Sequence, residues 1–126
     1  MSVDIKRTKS KVFSLKLFIT EAQRKELHST CFHQFYKGKW DEKTFWKDDS
    51  ICLDDDYLSK GFAEAVREIV PEYNPYGVTE ISVEKWRKIG ETIKTKDAHS
   101  RLIYEEADYW LKTVFSEYDC FTILGI

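Results

Sequence analysis

His28, Cys31 and His33 fall within six residues, and imidazole and thiolate are side chains that zinc takes as ligands. Cys52, His99 or Cys120 would be the fourth donor. The periodicity reads residues 20–36 as a helix, and there His28 and Cys31, three apart, share a side. His33 lies two residues beyond Cys31, about 200° round at 3.6 residues per turn, and points away. No CxxC or HxxxH pair supplies compact metal-site spacing. These residues therefore read as a core Cys31 beside two partly exposed histidines, with no metal. Nucleophilic chemistry has no marker either: the chain lacks a GxSxG turn, a P-loop and a dinucleotide fingerprint. Glu105–Glu106 could do acid–base work, but on an exposed helix side they read as a solvated pair, with Asp108 and Lys112 as an i,i+4 ion pair. Asp41-Glu42-Lys43 has the residue types a metal-dependent nuclease gathers, yet no convincing strand carries it. The expectation is a protein that is not an enzyme and uses no cofactor.

Trp40 to Tyr57, WDEKTFWKDDSICLDDDY, is chemically more distinctive. Seven carboxylates and four aromatic rings share eighteen residues, and only Lys43 and Lys47 offset the charge, leaving −5. Asp54, Asp55 and Asp56 are explained by a helix start, where acids complement the positive end of the dipole. Asp41, Glu42, Asp48 and Asp49 precede that helix and repel one another, so a counter-charge must come from elsewhere. It is either internal, from the basic N-terminal part, or external, from a partner. Trp40, Phe45 and Trp46 either staple the segment to the core or serve as contact rings.

Charge is uneven along the chain. Residues 1–40 carry nine Lys/Arg against three acids, residues 41–56 carry −5, and residues 57–126 carry nine basic against twelve acidic residues. The total of −2 argues against general affinity for nucleic acid or anionic membrane. Three scattered cysteines suit reduced thiols in a cytoplasmic protein better than a disulfide framework. The N-terminus lacks a signal-peptide apolar run, and no apolar segment is long enough to span a bilayer.

The elements that must position these residues follow from periodicity. Residues 1–10 form a basic, flexible leader, and residues 11–126 a single globular domain. Val12–Ile19 alternates as a strand. Thr20 and Gln23 form a capping box opening a helix to about Tyr36, with Leu27, Cys31 and Phe35 as its stripe and Gly38 as its stop. Ser50–Leu53 is a short strand. Asp55 or Asp56 caps a helix that Pro71 ends after Val70. Val78–Ile81 is a strand. Ser82 caps a helix whose stripe includes Gly90, a sign of close approach by another element. Asp97 to Tyr118 is a longer helix, and the apolar 120–126 a buried strand. The class is α+β: a sheet of three or four strands, the first and last paired at its centre, covered by about four helices.

Two stretches resemble small bacterial immunity proteins, the antidotes of contact-dependent and other polymorphic toxin systems: TEISVEKWRKI at 79–89 and FTILGI at 121–126. Size, acidic balance and aromatic richness are similar to that class as well. The resemblance implies a stoichiometric inhibitor of a cognate, basic toxin domain, such as a nuclease, whose phosphate-binding surface an acidic patch would imitate. Asp41, Glu42, Asp48, Asp49, Asp54, Asp55 and Asp56 would supply the charge, and Trp40, Trp46 and Tyr57 the anchors. The alternative is a small-molecule or peptide-binding domain with an aromatic-lined pocket.

Overall fold

Thr20 opens the first helix as its spacing predicts: its hydroxyl accepts from the Gln23 amide while the Gln23 side chain accepts from the Thr20 amide. The structure, a computed structural model, describes residues 16–125. In chain order these form β1 (Phe18–Thr20), α1 (Glu21–Leu27), β2 (Phe32–Lys37), β3 (Ile51–Asp54), α2 (Asp55–Leu58), α3 (Phe62–Ile69), β4 (Val78–Ser82), α4 (Val83–Ile93), α5 (Ala98–Val114) and β5 (Cys120–Leu124). The leader and residues 12–15 of the expected first strand lie outside the described residues.

The α+β expectation holds, with a larger sheet than expected. Five strands run in the order β1-β3-β2-β5-β4, and every neighbouring pair is antiparallel. The first and last strands do not pair: β1 is an edge, and β5 sits between β2 and β4. Directly opposed residues in an antiparallel ladder share a side of the sheet. Phe35 opposes Ile51 and Ile123, Leu53 opposes Phe18, and Phe121 opposes Ile81. These seven residues belong to the main core, against which Phe62, Val66, Ile89, Ile103 and Leu111 of α3, α4 and α5 pack.

The other side of the sheet carries Tyr36, Gln34, Cys52, Thr122 and Leu124, all buried too. No long helix covers it. Its cover is α1 and the segment 38–50, so the acidic–aromatic stretch is part of a second, thin layer. Glu21 of α1 is fully buried beside Cys52, and its two oxygens take Nε and Nη2 of Arg24 in a bidentate pair at 2.8 Å each.

Two helix expectations are corrected. Residues 20–36 are not one helix: α1 stops at Leu27, His28 adopts a left-handed conformation at φ 52°, and residues 32–37 form β2. Leu27 and Cys31, the supposed buried stripe, are exposed. Gly38 ends a strand instead, at φ 72°, where a side chain would also strike the ring of Tyr118. The helix expected from Asp55 to Val70 is broken into α2 and α3 at Gly61, whose φ of 123° suits glycine. Its cap is Asp54, which accepts from the Asp56 amide. Elsewhere Ser82 caps α4 as expected, Asp97, the expected first residue of the longer helix, caps α5 instead, and Gly90 is where Tyr104 packs. Tyr104 stacks on Trp86 at 4.3 Å, and the Trp86 indole donates to Asp108, so Asp108 serves the core and forms no ion pair with Lys112 among the described residues.

Glu106 is not a solvated surface acid. It is 8% exposed, and its carboxylate accepts from the consecutive amides of Lys16, Leu17 and Phe18 at 2.9–3.1 Å. This carboxylate fixes the entry to β1, an edge strand of three residues that pairs with β3 on one side only. Glu106→Gln replaces one acceptor oxygen by a donor facing those amides. It is expected to lower stability by about 1–3 kcal/mol in urea unfolding and to speed exchange of the Leu17 and Phe18 amides.

Candidate functional site

Segment 38–50 is irregular but tied down along its length. At its start the Thr122 hydroxyl donates to the Gly38 carbonyl at 2.8 Å. The Trp40 indole donates to the Thr44 carbonyl at 2.7 Å, closing a turn, and its ring packs on Phe45 with centroids 5.0 Å apart. Asp41 caps that turn. Its carboxylate accepts from the Lys43 and Thr44 amides and from the Thr44 hydroxyl, at 2.7–2.9 Å. These bonds, led by those from Thr44, hold its carboxyl down at about 2. At the far end Lys47 lies over the Tyr36 ring and its carbonyl takes the Ser50 amide.

Gln34, buried in the sheet, makes the central attachment. Its oxygen accepts from the Trp46 amide at 2.9 Å and its nitrogen donates to Ser50 Oγ at 2.7 Å. The Arg24 guanidinium, already paired to Glu21, lies 4.0 Å over the Trp46 ring. Glu42 and Trp46 both have left-handed backbones, at φ 67° and 58°. Each such residue costs about 1–2 kcal/mol, which a segment this heavily bonded can absorb.

The structure divides the predicted site residues into two groups separated by β3. Trp40, Asp41, Glu42, Trp46, Asp48 and Asp49 lie on the loop. Asp54 ends β3, about 10 Å along the strand, and Asp55, Asp56 and Tyr57 follow it. Asp49 pairs loosely with Lys37 at 3.8 Å, and Asp54 is spent on capping α2. Asp55 contacts His33 at 2.7 Å, and Tyr57 packs edge-on to His99. Glu42, Asp48 and Asp56 are exposed and have no ion-pair or hydrogen-bond partner among the described residues, apart from the backbone contacts of their own elements. Trp40 and Trp46 are half-buried, whereas Phe45 is 56% exposed.

Two further exposed apolar residues adjoin Phe45. Tyr76 is 71% exposed and Val78 53%, and with Phe45 they line a shallow depression over Leu124 and Gly125. Neither belongs to the acidic stretch. Val78 opens the edge strand β4, and only the strand register carries it to the row of Leu124 and Gln34.

The histidine–cysteine reading is corrected in detail. His33 is fully buried in β2, whereas Cys31 and His28 are exposed. No group of three or more His, Cys, Asp or Glu among the described residues could hold a metal ion. Burial and the neighbouring Glu21 push the Cys52 thiol up to about 12, and burial also raises Cys120. No helix of the described residues is long and apolar enough to cross a membrane. Comparison with protein-family models, with curated proteins and with solved structures finds no match to this chain.

Two outcomes are expected. A thiol reagent at pH 8 should modify Cys31 in the native protein and leave Cys52 unmodified until unfolding, as peptide mapping would read. Asp41 ionises below its ordinary value of 3.8, so its support of the turn is fully present above pH 3.8 and is lost as pH falls through about 2. The Thr44 amide resonance should therefore titrate with a midpoint near 2, whereas a midpoint near 4 would mean the turn does not form.

Proposed function

We propose that this chain is a stoichiometric protein-binding inhibitor of the immunity type, which neutralises a cognate, basic toxin domain through the 40–49 loop and the exposed apolar residues beside it. The observation that carries this reading is the set of carboxylates at Glu42 and Asp48, exposed and without counter-charge among the described residues, on a loop tied to the sheet next to Phe45, Tyr76 and Val78. Exposed acids steer a basic partner and raise the rate of encounter. Exposed rings and Val78 offer apolar area to bury, and a loop already ordered loses little entropy on binding. Asp41 acts within this surface as a support for the turn. Asp54, Asp55, Asp56 and Tyr57 stand apart from it, beyond β3, so the binding surface centres on Phe45 instead of spanning the whole acidic stretch.

The test is co-expression with the product of the neighbouring gene, followed by association kinetics on the purified pair. A 1:1 complex is expected. Combined replacement of Glu42, Asp48 and Asp49 by Gln and Asn should slow association by about 10- to 100-fold at low salt, with a smaller effect at high salt. Phe45→Ala should mainly speed dissociation. Absence of a complex, or a complex whose kinetics neither set of substitutions alters, would sink the proposal.

A further inference from the structure

Asp55 is excluded from the loop surface by β3, and its surroundings suit a different kind of ligand. It lines a cleft of about 500 Å³ between α2, α3 and the connector at residues 75 and 76, within the range of small-molecule sites. One oxygen of Asp55 meets His33 Nε2 at 2.7 Å, and His33 is fully buried, so the carboxylate is held from behind. Its second oxygen has no partner among the described residues, and the side chain is 37% exposed. Arg67 lines the same cleft and forms no ion pair among the described residues. Its guanidinium lies 5.8 Å over the ring of Tyr73, whose buried hydroxyl has no hydrogen-bond partner. Burial pushes the pKa of that hydroxyl up, with Arg67 opposing and Asp55 reinforcing the shift, so both charges act on one small region. Lys60 and Glu64 repeat the two signs in the lining, and Pro75 and Tyr76 give it apolar surface.

A lining with two carboxylates, two cations and an aromatic wall matches neither a plain anion nor a plain cation, because each would meet like charge. It matches a molecule that carries both charges and an apolar group. We propose that this cleft binds a free amino acid with a large apolar side chain. The ammonium group would sit on the open oxygen of Asp55, the carboxylate on Arg67, and the side chain against Pro75 and Tyr76. This site shares only Tyr76 with the inhibitor surface, since Glu42, Phe45, Asp48 and Val78 do not line the cleft.

Titration of the 15N-labelled protein with L-phenylalanine tests it. Saturable shifts are expected at Gly61, Glu64 and Tyr76, half-complete below about 1 mM for a ligand of this size. Phenylacetate and phenethylamine each lack one charge and should bind at least about tenfold more weakly. Arg67→Gln, at an exposed position that leaves the fold intact, should weaken phenylalanine by a similar factor, as should Asp55→Asn. If Asp55→Asn unfolds because His33 loses its partner, Arg67→Gln and the two single-charge analogues decide. No saturable shift by about 20 mM, equal binding of phenylacetate, or full binding to Arg67→Gln would each overturn the proposal. Each of these outcomes leaves toxin binding by the loop unaffected, so the two ideas fail separately.

Discussion

A single buried amide organises the less obvious half of this molecule. Gln34 lies in the middle of the sheet, on the side away from the long helices, where solvent cannot satisfy it. Leaving such a group unpaired costs about 1–3 kcal/mol per lost partner. The residues that satisfy it, Trp46 and Ser50, both belong to the acidic–aromatic segment. Burying the second side of the sheet and ordering that segment are therefore one event. The cover it provides is thin, so side chains such as Phe45 remain at the surface while their backbone is fixed.

This arrangement explains how like charges are tolerated at close spacing. Asp41 is balanced locally by amide and hydroxyl dipoles and Asp54 by a helix start, while Asp49 lies 3.8 Å from Lys37 and Asp55 contacts His33. Of the two sources of counter-charge that the sequence allows, the internal one is seen among the described residues, mostly as dipoles and single neighbours. Glu21–Arg24 shows the contrasting solution, a bidentate pair buried where an isolated charge would be costly. The charge left over is small, localised and carried by a rigid loop, which is the pattern a binding surface for a basic protein requires.

Much of this was legible in the chain. The caps at Thr20 and Ser82 are local chemistry and read directly. Gly90 announced the packing of Tyr104 by lacking a side chain where a helix stripe needed one. Residues 28–37 misled for a physical reason: β2 is buried on both sides, so it shows no alternation, and Leu27, Cys31 and Phe35 happen to fall at helical spacing although only Phe35 is in the core. The strand at 51–54 was legible, but not that it would part the acids of residues 40–57 into two groups. Val78 joins the site through sheet register and Tyr76 through the connector before it, and backbone amides such as those bound by Glu106 leave no mark in a sequence.

The position of β5 has a kinetic consequence. It pairs with β2 on one side and β4 on the other, yet follows every other element in chain order. During synthesis, β2 with its partners and β4 must wait as two unpaired edges until residues 120–124 emerge. Exposed edges invite pairing with other chains, and closing them requires contacts distant in sequence, which are slow to form. The acidic loop is attached to β2, beside one of those waiting edges. Its surplus negative charge would then repel other nascent copies of the same chain during the interval in which association is most hazardous.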